Sequence, residues 1–158
     1  MNNTRNDILS KNTLKVNINI TPSNNFVTNE AFKTLRSNLL FCGKNVKTIV
    51  VTSAVENEGK TTVSTELARG LAEISKKTLL IYGDMRKPAT IKNRNVAGLA
   101  ELLSGQAELA EVVYETQIPL LSVIFGGNIP PNPVELLSSE AFTDLLFQIK
   151  NEYDYIII

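Results

Sequence analysis

The chain has 158 residues, of which 43% are hydrophobic and 20% charged, and this is the composition of a single globular domain with its own core. Its 16 Lys and Arg residues balance 16 Asp and Glu residues, so net charge gives no reason to expect nucleic acid or an anionic membrane as a partner. The single cysteine, Cys42, excludes a disulfide within the chain and fits a reducing, cytoplasmic compartment, while the lack of histidine excludes His-based triads and histidine metal sites.

The amino-terminal part is polar and then becomes periodic. Residues 1–25 are rich in Asn and Thr, which predicts a mostly disordered leader with one edge strand at "LKVNINI". No apolar run suits a signal peptide or approaches the length of a membrane span, so we expect no direct membrane insertion. The stretch "TNEAFKTLRSNLLFC" repeats apolar residues at helical spacing and predicts a helix that is capped by Thr28 or Asn29 and ended by Gly43.

Strands and helices alternate over the rest of the chain, and we expect residues 26–158 to form one domain. Buried strands are predicted at "VKTIVVTS", "KTLLIYGD", "PLLSVIFGG" and "YDYIII". Helices are predicted at "KTTVSTELARGLAEIS", "AGLAELLSG", "AELAEVVYE" and "NPVELLSSEAFTDLLFQIKNEY". In the last helix, Asn132 is the expected N-cap, Pro133 the first helical residue and Glu135 the partner in a capping box. The alternation predicts an α/β fold with a doubly wound, mostly parallel sheet flanked by helices.

The loop between the first buried strand and its helix has the features of a phosphate site. Its sequence "AVENEGKTT" follows the P-loop pattern G-x-x-x-x-G-K-[ST], with Ala54 at the first glycine position. In such a loop, backbone N–H groups and the helix N-terminus face the phosphates, Lys60 reaches the β- and γ-phosphates, and the Thr61 hydroxyl can bind Mg²⁺. The alternative is an ordinary strand–turn–helix with a lysine at its start. The expected nucleotide contacts are Ala54, Val55, Glu56, Asn57, Glu58, Gly59, Lys60, Thr61 and Thr62.

Four stretches, read together, carry a family resemblance. "TLLIYGDMRKP" follows the pattern hhhhDxDxRxP, "NEAFKTLRSNLLF" is close to E-x-x-R-x-x-R, and "GLAELLSG" and "GGNIPPNPVELLSS" come later in the same order. This series resembles the bacterial tyrosine kinases, the P-loop kinases of capsule and exopolysaccharide synthesis, over residues 28–158. The cell-division and plasmid-partition ATPases share the sheet, but they carry an extra lysine where this chain has Val55, which favours the kinases.

The resemblance implies an ATP- and Mg²⁺-dependent protein tyrosine kinase with a P-loop NTPase fold. Lys60, Asp84 and Arg86 are the implied catalytic residues, and Thr61 and Asp84 the implied metal ligands. The first acidic position of the family is Tyr82 here, and because a phenol with a pKa of about 10 is neutral at pH 7, we expect Tyr82 to pack in the core. The third carboxylate of the family would follow the last residue, so we expect a truncated chain that lacks the C-terminal strands and is weakly active or inactive.

The resemblance also implies partners. Glu30, Lys33 and Arg36 lie one helical turn apart and are expected to contact the next subunit of a homo-oligomer, although Lys33 replaces an arginine and offers no bidentate fork. The implied substrates are tyrosine residues, and the implied partner is a membrane-embedded activator that regulates polysaccharide chain length. Two alternatives stay open: a nucleotide-binding or oligomerisation module without catalysis, and a positioning ATPase of the cell-division type.

Overall fold

A computed structural model describes residues 15–18, 25–43, 45–87, 90–91 and 94–158. Most of the expected leader, residues 1–25, lies outside the described residues, so its disorder stays a prediction. Strand β1 (Lys15–Val16) lies within "LKVNINI" at one end of the sheet order, as expected for an edge strand.

The described residues contain eight strands, six of which form one sheet. After β1 these strands are β2 (Thr48–Ile49), β3 (Thr78–Ile81), β4 (Thr90–Ile91), β5 (Arg94–Asn95), β6 (Tyr114–Thr116), β7 (Leu121–Ile124) and β8 (Tyr155–Ile157). The sheet order is β1-β6-β7-β3-β8-β2, and every neighbouring pair is parallel except β6 with β7. Strands β4 and β5 form a separate antiparallel pair. The predicted mostly parallel sheet is therefore confirmed.

Strand β8 lies next to β2, the strand that leads into the phosphate loop. Ile156 pairs with Leu79 of β3 on one side and with Thr48 of β2 on the other. Ile156 and Ile157 are fully buried, because a strand between two parallel neighbours has core on both of its faces. β2 stands at the other end of the sheet order from β1, and Val50 beside it is 65% exposed.

Six helices complete the described fold: α1 (Phe26–Phe41), α2 (Lys60–Glu73), α3 (Leu99–Leu103), α4 (Leu109–Val112), α5 (Pro133–Leu137) and α6 (Glu140–Ile149). Alternate residues of β3 face two separate parts of the core. Leu79 packs with residues of α3, α4 and α6, whereas Leu80 packs with Leu67 and Leu71 of α2. Helices thus cover both faces of the sheet, which is the doubly wound arrangement that the alternation predicts.

Two details of α1 differ from the sequence-based expectation. The N-cap is Asn25, whose side chain accepts a hydrogen bond from the Val27 backbone N–H at 2.9 Å, so the expected cap at Thr28 or Asn29 is wrong. An earlier cap is tolerated because the first-turn residues Phe26 and Val27 are 75% and 73% exposed and need no core position. The expected end is confirmed, since Gly43 follows the C-cap residue with φ +105°, a conformation that favours glycine.

Two other segments also differ from the prediction. "AELAEVVYE" is not one helix, because Val113 is already extended and β6 follows, with Tyr114 and Thr116 buried and Glu115 exposed in a period-2 pattern. The carboxy-proximal helix is divided into α5 and α6 at Ser139, whose hydroxyl accepts from the Phe142 N–H at 3.3 Å. A Ser N-cap inside a long apolar pattern is a strong enough start signal to divide it.

The start of α5 is only partly as predicted. Asn132 is its N-cap and Pro133 its first residue, which confirms these two positions. The capping box is wrong, because the Asn132 side chain makes no capping hydrogen bond and its amide instead donates to the Glu135 carboxylate at 2.9 Å. None of the helices in the described part of the chain is long and apolar enough to cross a bilayer.

Candidate functional site

The loop between β2 and α2 has the backbone of a phosphate cradle. Asn57 and Gly59 both have positive φ, +63° and +91°, and Gly59 is the N-cap residue of α2. A Cβ on Gly59 would meet no atom within 4 Å, so here the conformation, rather than crowding by protein atoms, favours glycine. Because Gly59 has no side chain, the α2 cap offers no side-chain acceptor to the first amides of the helix, an arrangement that suits an anion.

The side chain of Lys60 folds back over the start of this loop. Its ammonium donates to the Ser53 hydroxyl at 2.6 Å and to the Val55 carbonyl at 3.4 Å. The Ser53 hydroxyl in turn donates to the same carbonyl at 2.8 Å. The positive charge therefore lies beside the first residues of the loop, the end opposite to α2.

A second loop side chain, that of Glu58, contacts the same end. Its carboxylate accepts hydrogen bonds from the backbone N–H groups of Ala54, at 3.0 Å, and Val55, at 3.3 Å. The sequence places Glu58 among the nucleotide contacts, but no periodicity or motif indicates that it turns onto the loop's own amides.

Asp84 and Arg86 follow β3 at the carboxyl end of the sheet. The Arg86 guanidinium donates to both Asp84 carboxylate oxygens, from Nε at 2.7 Å and from Nη2 at 2.9 Å, and the Arg86 backbone N–H donates at 3.2 Å. These hydrogen bonds hold the pKa of Asp84 at about 2, well below its usual range. Asp84 is thus a permanently ionised carboxylate at neutral pH, with both oxygens already engaged.

Tyr82 packs through its ring, and it also lines a second cavity of about 440 Å³ that shares Lys60, Thr61 and Asp84 with the site. Its ring stacks on that of Phe125 with centroids 5.7 Å apart, and its hydroxyl is 3.2 Å from the Thr65 hydroxyl. Burial raises its pKa, so the phenol is neutral at pH 7. The expectation that Tyr82 is a packing residue is confirmed.

One cavity of about 290 Å³ brings the predicted residues together, and it is lined by Glu56, Asn57, Gly59, Lys60, Thr61, Thr62, Asp84, Arg86 and Lys87. The predicted contacts Ala54, Val55 and Glu58 are not in its lining: Ala54 and Val55 lie at the start of the loop, where the Glu58 carboxylate accepts from their amides. Lys87 was missed, although its place directly after Arg86 in "MRKP" was a signal. The cationic side chains of Lys60, Arg86 and Lys87 line the cavity together with the phosphate loop, as an anionic ligand requires.

The implied metal ion can be tested against the donors in this cavity. Thr61 and Asp84 both line it and offer a hydroxyl and a carboxylate, the oxygen donors that Mg²⁺ prefers. Within the described ranges, no group of three acidic, His or Cys side chains could hold a metal by itself. The donor types fit an ion that takes the rest of its ligands from phosphate and water, which is the usual way Mg²⁺ is bound.

The predicted oligomer residues are not equivalent in the structure. Glu30 and Lys33 form an ion pair of 2.7 Å on the exposed surface of α1. Arg36 instead turns towards α2 and donates to the Gly70 carbonyl at 2.9 Å. Arg36 therefore joins α1 to α2, and only the Glu30–Lys33 pair remains wholly on the outer surface.

The strand, the left-handed turn and the helix N-terminus beside Lys60 and Asp84 define a P-loop NTPase fold. The chain belongs to the AAA domain family, whose model matches residues 46–158. Tyrosine-protein kinase CpsD of Streptococcus agalactiae is 44% identical over 135 residues, which cover 83% of this chain and 59% of that protein. The chain therefore spans less than two thirds of this relative.

Solved structures agree with this assignment. The chimerical protein CapA2B2 matches with a TM-score of 0.78 and 32% identity, over 95% of this chain and 70% of that one. The kinase domain of the Escherichia coli tyrosine kinase ETK matches with a TM-score of 0.75 and 34% identity, over 82% of this chain and 52% of that one. The resemblance to the bacterial tyrosine kinases of capsule and exopolysaccharide synthesis is thereby confirmed.

Proposed function

We propose that these 158 residues are the ATP-binding part of a protein tyrosine kinase that acts in capsule or exopolysaccharide synthesis. The observation that carries the proposal is that Lys60, Thr61 and Asp84 line the same two neighbouring cavities at the N-terminus of α2. The 44% identity to a protein named a tyrosine-protein kinase gives the reaction class. The proposed location is the cytoplasm.

Each of these residues has a separate task in the proposed site. The first amides of α2 and the Lys60 ammonium hold the phosphates and neutralise their charge. Thr61 and Asp84 would hold Mg²⁺, which when bound supplies further charge neutralisation at the phosphates. Arg86 keeps Asp84 ionised and fixes its orientation through their paired hydrogen bonds.

The acceptor tyrosine has to come from outside these residues. The chain has four tyrosines: Tyr114, Tyr153 and Tyr155 are 4%, 3% and 9% exposed, and Tyr82 is half-buried against Phe125. The three buried hydroxyls cannot approach a bound nucleotide in line, and the Tyr82 hydroxyl is held within 3.2 Å of the Thr65 hydroxyl. The proposed substrates are therefore tyrosines of other polypeptide segments.

Calorimetric titration of the purified chain with ATP and Mg²⁺ tests the binding part of the proposal. Lys60→Ala should weaken binding by about tenfold or more, because it removes a charged hydrogen-bond donor to phosphate. Lys150→Ala is the matched control, since it removes an equal charge from the exposed end of α6. Failure of the wild-type chain to bind, or equal affinities of the two variants, would contradict the proposal.

A second candidate function is nucleotide binding without catalysis. Two observations favour it: Tyr82 is a neutral phenol, and Arg86 engages both oxygens of Asp84, so neither of these two positions offers an unpaired carboxylate to accept the proton of a tyrosine hydroxyl. Incubation with Mg²⁺-ATP and a tyrosine-containing peptide separates the two functions. Weak phosphotyrosine formation that Lys60→Ala abolishes supports the kinase, and binding without any transfer supports the module. A positioning ATPase gains no support, since Val55 carries no ammonium.

We also propose that the chain forms a homo-oligomer through the exposed surface of α1 and acts with a membrane-embedded activator. The Glu30–Lys33 pair is the polar group available for such a contact. Light scattering on the wild type and on a Glu30→Ala, Lys33→Ala double variant tests the oligomer. An unchanged mass of both at the monomer value would exclude this contact.

A further inference from the structure

The Glu58 carboxylate lies on the backbone of its own phosphate loop. One of its oxygens, Oε2, accepts from two consecutive amides, those of Ala54 at 3.0 Å and Val55 at 3.3 Å. Consecutive loop amides that converge on one anionic oxygen form the kind of concavity that binds phosphate oxygens. An acidic side chain of the loop therefore already uses donors that a phosphate group could use.

The position of Lys60 indicates which phosphate group of a bound nucleotide would compete with the Glu58 carboxylate. Its ammonium lies 3.4 Å from the Val55 carbonyl, at the same end of the loop as the Glu58 carboxylate. In P-loops this lysine reaches the β- and γ-phosphates, the outer end of a triphosphate. The amides that Glu58 engages are therefore at the end of the site where the terminal phosphate of a triphosphate would lie.

We propose that Glu58 is a specificity residue that lowers the affinity for a nucleoside triphosphate relative to the diphosphate. The inference rests on the proposed nucleotide site. A third phosphate must displace the carboxylate from the Ala54 and Val55 amides, because two anionic oxygens cannot share these donors. A diphosphate held by Lys60 and the first amides of α2 leaves Glu58 in place, so Glu58 weakens the binding of the triphosphate only.

Glu56 provides a matched control for this effect. It belongs to the same loop and lines the same cavity, and its charge acts on the Arg86 guanidinium. Neutralising Glu56 removes the same charge from the site without freeing the Ala54 and Val55 amides. Any gain in nucleotide affinity that comes only from removing a negative charge near the phosphates will therefore be seen in Glu56→Gln.

The experiment compares the full chain with Glu58→Gln, Glu58→Ala and Glu56→Gln by calorimetry, with ADP and a non-hydrolysable ATP analogue, both with Mg²⁺. Both Glu58 variants should bind the triphosphate about tenfold more tightly, equivalent to about 1.4 kcal/mol, and ADP within about twofold of wild type. Glu56→Gln should raise both affinities, that of the triphosphate only slightly more because it carries one more negative charge. An equal gain for both nucleotides in the Glu58 variants, or weaker triphosphate binding, would overturn the proposal.

A second measurement needs no nucleotide. In ¹⁵N–¹H spectra of the free protein, Glu58→Gln and Glu58→Ala should shift the amide resonances of Ala54 and Val55 more than those of other loop residues, and Glu56→Gln should not. Unmoved resonances would overturn the proposed contact.

If wild type and Lys60→Ala differ in nucleotide affinity but the Glu58 variants match wild type, the nucleotide site stands and only the role of Glu58 is refuted. If no variant binds either nucleotide, the proposed function fails and this role with it.

Discussion

Replacing Gly98 with alanine should disturb the packing that supports the Asp84 segment. Gly98 precedes α3, and a Cβ at this position would lie 2.2 Å from the Phe125 carbonyl oxygen and 2.6 Å from the Gly127 nitrogen. Both atoms belong to the backbone, so no side chain can rotate away to make room. Gly126, in the same segment, is itself so close to the Asp84 carbonyl that its own Cβ would come within 3.2 Å.

The expected loss of stability can be worked out from these contacts. Relieving the clash requires the backbone around residue 125 to move by about 1 Å, and overpacking of this kind costs about 1–3 kcal/mol. The same movement weakens the hydrogen bonds from Leu99 N–H to the Phe125 carbonyl, 2.7 Å, and from Ala100 N–H to the Gly126 carbonyl, 3.1 Å. Each contributes about 1 kcal/mol, so we expect Gly98→Ala to lower the free energy of unfolding by about 3 kcal/mol.

Urea and thermal unfolding followed by circular dichroism measure this loss. A change of about 3 kcal/mol corresponds to a fall in Tm of about 6–12 °C for a domain of this size. Gly70→Ala is the matched control: it lies inside α2, its Cβ would be 3.5 Å from the Arg36 side chain, and replacing a helical glycine should add about 0.5–1 kcal/mol. A Gly98→Ala protein as stable as wild type would refute the reasoning.

Three further predictions concern the site and the core. Tyr82→Phe should lower the free energy of unfolding by about 1 kcal/mol, because it loses the Thr65 hydrogen bond but keeps the ring stack. Tyr82→Ala also loses the stack and should cost about 3–5 kcal/mol, and urea unfolding distinguishes the two variants. The pKa of Asp84 is lowered to about 2, so the stability that its ionised form contributes is present above the unfolded pKa of 3.8 and is lost as pH falls towards 2. Arg86→Gln should move the NMR titration midpoint of Asp84 up towards 3.8, and an unmoved midpoint would contradict the pairing. Ile156→Ala should cost about 2–5 kcal/mol in the same urea assay, since the side chain is fully buried between β3 and β2, and a loss below about 1 kcal/mol would show that β8 is not a central strand.

The long periodic segments were predictable because their burial pattern repeats along the sequence. Leu67 and Leu71 are one turn apart on α2 and both reach the core, and the apolar run that ends in Ile157 is buried on both faces. The short elements were not predictable in this way. Strand β6 has three residues, and it pairs with β7 in a tertiary arrangement that its own sequence does not encode.

The same distinction applies to the site. Lys60, Thr61 and Asp84 could be predicted to meet, because the carboxyl ends of neighbouring parallel strands bring their loops to one edge of the sheet. The contacts of Glu58 could not be predicted, because a carboxylate that accepts from amides three and four residues earlier produces no periodic pattern in the sequence. Arg36 was predicted on an outer surface for a similar reason, since helical spacing does not show which turn of α1 meets α2.

The burial of three of the four phenol rings has a practical consequence for any transfer reaction run with this polypeptide, because only the half-buried Tyr82 is left as a native acceptor. In a Tyr82→Phe variant supplied with radioactive ATP and a peptide, the native polypeptide should therefore take up no label itself. Label on its own band would then measure unfolding during the incubation, and the peptide band would report the transfer.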